Sequence, residues 1–279
     1  MGDIALNDEQ LESLLDIAAA AGREILTVYN QSEAIEVEKK ADDSPITLAD
    51  RNAHKLIEAR LQEWTPEIPV FSEESDTIEP SVRKSWDKYW LVDPLDGTKE
   101  FVKRNGEFTV NIALIENGVA TAGVVHVPVS GITYLGRVGL AAYKIEKARC
   151  TKISVSNLDQ NAAVRIVASR SHKGESLEKL IRHIEHKLGE VEVVSMGSSL
   201  KMCLIAEGKA DIYPRLAPTS EWDTAAAHAV VSAAGGRIVD TGFKDLRYNQ
   251  KELLLNPNFI ALGDSAYPWQ SLLSASLPD

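Results

Sequence analysis

The segment Trp90-Leu91-Val92-Asp93-Pro94-Leu95-Asp96-Gly97-Thr98-Lys99-Glu100-Phe101 constrains this chain more than any other. Its aromatic and aliphatic run reads as a buried strand. That strand delivers two carboxylates, three residues apart, into a Gly-Thr turn. A carboxylate at the end of a buried strand is costly unless something positive compensates it. Asp93 and Asp96 together therefore ask for a cation, and hard carboxylate oxygens favour Mg²⁺ or Mn²⁺ over zinc. Pro94 holds Asp93 extended and is expected to stop the strand. Gly97 permits a tight turn that brings the Thr98 hydroxyl back toward the carboxylates.

Two further stretches end in acids. Ile68-Pro69-Val70-Phe71-Ser72-Glu73-Glu74-Ser75 is a short apolar strand closing on paired glutamates, and Glu221-Trp222-Asp223-Thr224-Ala225-Ala226 sets acids at the start of an Ala-rich helix. An acid there is favourable as a helix N-terminal residue even without a metal, and paired glutamates alone read as a solvated loop. Three acidic ends in one chain supply oxygens for two cations about 3.5–4 Å apart, the arrangement used for in-line phosphoryl displacement.

The Ser-Glu-Glu-Ser loop, the Asp-Pro-Leu-Asp-Gly-Thr turn and the Trp-Asp-Thr-Ala-Ala helix start resemble the inositol monophosphatase superfamily of metal-dependent, lithium-sensitive phosphatases. Tyr89 to Ile115, Ser169-Arg170-Ser171-His172, Gly197-Ser198-Ser199-Leu200-Lys201 and Ala206-Glu207-Gly208-Lys209 look like its bacterial 3'(2'),5'-bisphosphate nucleotidase branch. The resemblance covers nearly the whole chain in the same order. It implies an α+β or α/β fold, a layered α-β-α-β-α sandwich of the inositol monophosphatase and fructose bisphosphatase type, with the site between two halves. Glu73, Asp93 and the Leu95 carbonyl are then expected to hold one Mg²⁺. Asp93, Asp96 and Asp223 would hold a second, with room for a third near Glu73.

The same resemblance assigns Thr98 and Asp50 to orienting and deprotonating a metal-activated water that attacks the 3'-phosphate directly, and Glu74 to positioning waters. A helix N-cap is the alternative reading of Asp50. Substrate contacts fall on Glu73, Leu95, Asp96, Gly97, Thr98, Ser169, Arg170, His172, Ser198, Lys201 and Asp223. Gly97 and Thr98 would offer backbone amides to a phosphate. The Gly-Ser-Ser segment opens a helix, as an anion site or with Ser198 as a plain N-cap. The implied substrate is adenosine 3',5'-bisphosphate, with its sulfated form as a further candidate, yielding AMP and phosphate, and Li⁺ is the expected inhibitor. Inositol phosphate or fructose bisphosphate is the rival substrate, and a non-catalytic nucleotide sensor is the rival class. Gly136 to Tyr143 departs from the acidic glycine-rich hairpin the resemblance would place there.

Composition sets outer bounds. A chain of 279 residues, 44% hydrophobic, has a core that needs no staples. A net charge of −11 argues against nucleic-acid or anionic-membrane partners. An acidic protein acting on an anionic substrate needs local cations, and Lys99, Lys103, Arg104, Arg170, Lys201 and Arg215 are candidates. Cys150 and Cys203 form no disulfide framework or metal spacing, which suits a reducing cytoplasm. Neither a signal peptide nor a membrane span is expected. The location expected is cytoplasmic, free or peripheral on the inner-membrane face, as monomer or homodimer.

The periodicity predicts helices from an Asn7–Gln10 capping box to Tyr29, from Leu48 to Trp64, over 175–188 and over 198–207. Strands are expected at 68–71, 89–92, 108–115, 119–127, 164–168, 191–195 and 211–213, with a hairpin at Glu116-Asn117-Gly118. Two packed subdomains, 1–155 and 156–279, are expected to meet without a linker. Rival motifs lack companions. Asp93 and Asp96 are one residue too far apart for an Asp-x-Asp-Gly-Thr phosphatase, and Ser198-Ser199-Leu200-Lys201 has no Lys-Thr-Gly partner. His183 and His186, among charged neighbours, read as a solvated face.

Overall fold

The computed structural model describes residues 8–31, 36–39, 45–147, 149–159, 161–168 and 174–278. Helix α1 (Asp8–Tyr29) turns Leu14, Ala18, Ala21 and Ile25 inward at helical spacing, and all four are buried. Its expected Asn7 cap lies outside the described residues. A two-stranded ribbon, β1 (Glu38–Lys39) and β2 (Pro45–Ile46), precedes helix α2 (Leu48–Trp64). The two helices pack together against one face of a seven-stranded sheet.

That sheet runs in chain order through β3 (Val70–Ser72), β4 (Lys88–Asp96), β5 (Thr109–Glu116), β6 (Val119–Val127), β7 (Ile132–Arg137), β8 (Ala141–Glu146) and β9 (Arg149–Ile153). Only the β3–β4 pair is parallel. Short helices α3 (Pro80–Arg83) and α4 (Thr98–Val102) interrupt it. At the 116–118 turn Asn117 and Gly118 both take positive φ (51° and 74°), which a tight two-residue hairpin demands. The 136–143 segment is also a hairpin, turning at Gly139, so the departure in sequence leaves the two strands paired.

The chain then builds a five-stranded sheet ordered β11-β10-β12-β14-β13. Its elements are β10 (Val164–Ala168), α5 (Glu175–Leu188), β11 (Val191–Ser195), α6 (Leu200–Ala206), β12 (Ile212–Arg215), α7 (Glu221–Ala233), β13 (Arg237–Asp240), β14 (Phe259–Leu262) and α8 (Trp269–Leu273). Helices α6 and α7 fill the space between the two sheets, and α5 and α8 cover the outer face of the smaller one. The layers read α-β-α-β-α, as the resemblance implied. His183 is not a solvated surface group. Its Nε2–H donates to the Leu272 carbonyl at 2.8 Å and ties α5 to the α8 helix.

Strand β4 shows the alternation that matters. Trp90 and Val92 face α1 and α2, whereas Tyr89 and Leu91 face the central helices. The Trp90 indole N–H donates to Thr65 Oγ1 at 2.9 Å, so its one polar atom is satisfied. Pro94 does not end the strand as expected. The pairing with β5 jumps from Asp93↔Asn111 to Asp96↔Thr109, a bulge that takes Pro94 and Leu95 out of the ladder. The missing Pro94 N–H therefore costs no bond, and β4 continues to Asp96.

Helix α7 lies against this sheet at backbone contact. Gly123 on β6 and Gly136 on β7 are cross-strand partners. A Cβ on Gly123 would sit 2.3 Å from the Ala226 carbonyl oxygen, and one on Gly136 would sit 2.5 Å from the Val230 Cα. Ala225, Ala226, Ala227 and Ala229 are the matching small residues on the helix, all buried. Farther along α7, the His228 Nδ1 is 2.8 Å from the Tyr248 hydroxyl.

Gly123→Ala should cost about 1–3 kcal/mol of unfolding free energy, the usual penalty of overpacking, because rigid backbone meets the new methyl. Urea titration measures it, and a wild-type midpoint would contradict the close approach. Burial lowers the pKa of His126 and of His228 to about 4, against an ordinary 6.5. Between those values the unfolded chain binds protons that the folded chain refuses. Their contribution is thus complete above pH 6.5 and is lost as pH falls toward 4. His228→Asn should flatten the slope of unfolding free energy over pH 4.5–6.5, and an unchanged slope would mean that His228 is not buried neutral.

Candidate active site

Strands β3 and β4 run side by side and release their acids at the same end. The Glu73 N–H donates to the Val92 carbonyl at 3.0 Å, which sets Glu73 beside Asp93. Period-two alternation carries Asp93 to the face covered by α7, opposite Asn111 on β5. Gly97, at φ 96°, turns the chain from β4 into α4. From the far side, α7 brings Asp223 in its first turn. The edge-on contact of Phe71 and Trp222, 6.2 Å between ring centres, seats that turn over β3. Buried Arg83 holds it too: Arg83 donates to the Asn249 side chain (2.5 Å) and to the Lys251 (3.0 Å) and Glu252 carbonyls. The Asn249 N–H in turn donates to Glu221 Oε2 at 2.7 Å.

Asp93 is the electrostatic centre of the group. Burial holds its carboxyl well above the ordinary carboxylate range, and the charges of Glu73, Asp96, Asp223 and Asp50 push it further the same way. Asp223 is raised by burial and then by Asp96, against the opposing Ser220 N–H. Asp50 is also raised by burial, opposed by Thr47, with Glu73 adding to the rise.

Each aspartate is held through one oxygen. Asp93 Oδ1 accepts the Leu95 N–H at 3.0 Å, and Asp223 Oδ2 accepts the Ser220 N–H at 2.9 Å. Asp50 Oδ2 accepts from the Thr47 N–H at 2.7 Å and its Oγ1 at 2.5 Å. Asp96 Oδ2 accepts from Ser199 N–H at 2.6 Å, Ser199 Oγ at 2.8 Å and Asn111 Nδ2 at 3.4 Å. For Asp93, Asp96 and Asp223 no hydrogen-bond donor to the second oxygen is found among the described residues.

Asp96 and Asp223 border a cavity of about 470 Å³ between the two sheets, and Gly97, Ser198, Ser199 and Met196 line it with them. Lys99, Lys103, Lys201 and Arg215 open onto the same cavity. Lys201 is buried, its Nζ donates to the Ser198 carbonyl at 2.6 Å, and it stands 5.7 Å from the Tyr213 ring centre. Burial lowers its pKa, with Asp96, Glu100 and Asp223 opposing.

Several expectations need correction. Asp50 is not the N-cap of α2. Thr47 is, and Asp50 is the N3 partner that closes a capping box. No Asp50–Thr98 hydrogen bond exists among the described residues, and Thr47 engages one oxygen of the Asp50 carboxylate. Ser198 does not cap α6; it lies in the left-handed region (φ 41°), its buried Oγ has no partner, and Ser199 stands at the N-cap. The Ser199 N–H, which the sequence offered to an anion, is taken by Asp96. Glu74 borders a neighbouring hollow with Arg51 and His54 and does not line the cavity. Ser169, Arg170 and His172 lie outside the described residues. Sequence reasoning missed Asn111 and Ser199 as supports of Asp96. A lone Asn in the apolar run 108–115 was the available signal for the first.

The chain matches the inositol monophosphatase family over residues 7–270. It belongs to that family. It is 47% identical to the Salmonella typhimurium 3'(2'),5'-bisphosphate nucleotidase CysQ over 249 residues, 89% of this chain and 98% of that one. Its identity to the Escherichia coli protein of the same name is 46%, with the same coverage. The crystal structure of CysQ from Bacteroides thetaiotaomicron superposes with a TM-score of 0.82 at 45% identity, covering 92% of this chain and 97% of that one. Inositol monophosphatase family members are metal-dependent phosphatases.

The donors fit a hard divalent cation. They are carboxylate oxygens, with the Leu95 carbonyl released from the ladder by the bulge, and they lack imidazole and thiolate. Among the described residues, no three such groups converge into a ready-made cage. In chelator, Asp93→Asn should unfold at a higher temperature than the wild type, because a disfavoured buried charge is gone. Mg²⁺ at about a hundred times its Kd should add about 2.7 kcal/mol to the wild type and far less to the variant. Equal gains in thermal scans would remove Asp93 from the cation site.

Proposed function

We propose that this family member is a Mg²⁺-dependent 3'(2'),5'-bisphosphate nucleotidase that converts adenosine 3',5'-bisphosphate and water to AMP and inorganic phosphate. The observation that carries this reading is the set of cations, Lys99, Lys103, Lys201 and Arg215, on the same cavity as Asp96 and Asp223. One phosphate at the carboxylates leaves that positive wall without an anion. A second phosphate on the substrate supplies it. The names of the Salmonella typhimurium and Escherichia coli relatives point the same way.

Glu73, Asp93 and the Leu95 carbonyl would hold one Mg²⁺, and Asp93, Asp96 and Asp223 a second, with space for a third near Glu73. Bound there, the ions supply charge stabilisation for the phosphoryl oxygens and an acidified water. The chain's own residues do the rest. Gly97 and Thr98 present the turn on which the phosphate rests, and Thr98 orients the attacking water. Asp50 keeps one oxygen on Thr47, and its raised pKa suits a group that takes a proton. The water oxygen bonds to phosphorus, the bond to the 3'-oxygen breaks, and that oxygen leaves with a proton from solvent. Lys201 faces the second phosphate. Ser169, Arg170 and His172 complete the nucleotide contacts, and Glu74 positions waters from the neighbouring hollow. We place the protein in the cytoplasm, as monomer or homodimer.

Phosphate release from adenosine 3',5'-bisphosphate should exceed that from inositol 1-phosphate in Mg²⁺, and Li⁺ should suppress it. Preference for the inositol ester would keep the cation chemistry and overturn the substrate. Binding without release would make the chain a sensor. Lys201→Met should raise KM for the bisphosphate about tenfold or more, since a charge-assisted hydrogen bond is worth about 1.5–3 kcal/mol. It should act far less on adenosine 3'-monophosphate, and equal effects on both would detach Lys201 from the second phosphate.

A further inference from the structure

Ser199 occupies an unusual position between the two halves of the site. It is fully buried, and its Oγ lies 2.8 Å from Asp96 Oδ2 and 2.7 Å from the Asp223 backbone carbonyl. Asn111 Nδ2 donates to that same Oγ at 2.9 Å. The Asn111 amide thus fills one lone pair of the hydroxyl and turns its proton toward the two acceptors. The charged carboxylate is the stronger of them. With the Ser199 N–H and Asn111 Nδ2, three donors converge on Asp96 Oδ2, and Oδ1 receives none among the described residues.

We infer that Ser199 is a positioning residue for cation binding: its N–H and hydroxyl both hold Asp96 Oδ2 and so fix the Asp96 carboxylate rotamer, leaving Oδ1 as the oxygen offered to a cation. Two physical arguments support this. Asp96 sits after a bulge and before a positive-φ glycine, where the backbone alone leaves its side chain weakly determined. Asp96 and Asp223 also repel each other, and a neutral donor holds the Asp96 carboxylate in place against that repulsion without neutralising it. A lysine in that place would compete with the cation for charge, and a hydroxyl does not. The Lys201 ammonium is accordingly bonded to a neutral carbonyl, not to Asp96. Outer-layer partners of this kind govern the affinity of a metal site more than the stability of the fold.

The inference rests on the reading of Asp96 and Asp223 as cation ligands, and calorimetric titration with Mn²⁺, in the absence of substrate, separates the two. The wild type should bind Mn²⁺, Asp96→Asn should lose most of that affinity, and Ser199→Ala should weaken it about tenfold. Ser199→Ala should unfold in chelator within a degree or two of the wild type. A residue that merely supports the fold would lower both together. Asn111→Ala, which frees the Ser199 hydroxyl to rotate, should weaken Mn²⁺ binding in the same direction and by less. Wild-type affinity in Ser199→Ala overturns the positioning role, as does a large fall in its unfolding temperature with Mn²⁺ affinity retained in Asn111→Ala. A wild type that binds no Mn²⁺, or an Asp96→Asn that binds it normally, overturns the ligand reading instead.

Discussion

The buried carboxylate of Asp93 is the constraint on which the rest depends. It lies in the central layer of the sandwich, and the charges of Glu73, Asp96, Asp223 and Asp50 all act on it unfavourably. That mutual repulsion works against the fold. The group persists because three of the acids are fastened to their own elements by local bonds, Asp93 to the Leu95 amide, Asp223 to the first turn of α7 and Asp50 to Thr47, while Asp96 is held across the site by Ser199. The apolar layers around them supply the free energy that this arrangement consumes.

Those fastenings share a device. The N-terminal turns of α2 and α7 both use an acid three residues after the cap, reaching back to the cap's own amide. In each case one oxygen of the carboxylate closes the helix end and the other points elsewhere. A capping box is ordinarily a local stabiliser worth about 1 kcal/mol. Here it also acts as a mount, giving a carboxylate a defined rotamer on a rigid helix. The Arg83–Asn249–Glu221 network anchors the α7 mount from outside.

Much of this was legible in the sequence. The run from Trp90 to Phe101 identified strand β4 and its acids, and 3.6-residue periodicity marked α1, α2 and α5 because each buries one face. Strand β10 and the β5–β6 hairpin followed from clean apolar runs and a turn pair. What sequence could not supply was context at the ends of elements. Pro94 reads as a strand terminator because its lack of an N–H usually breaks a ladder, and only the bulge with β5 makes it harmless. Ser198 and Ser199 are indistinguishable as caps until the left-handed backbone at Ser198 is seen. Asp50 reads equally as cap or as partner, since the difference lies in whether Thr47 is extended.

The glycine pair at Gly123 and Gly136 has a mechanical meaning. At these two glycines α7 meets the sheet with no side chain on the strand to rotate or compress, only backbone on backbone. The helix rests against a hard stop, and its depth is set by atoms that no rotamer change can move. Substitutions elsewhere in the central layer can loosen the packing around α7 without altering how far it sits from β6 and β7. The carboxylate it carries toward Asp96 thus keeps its address while the surrounding core is free to vary.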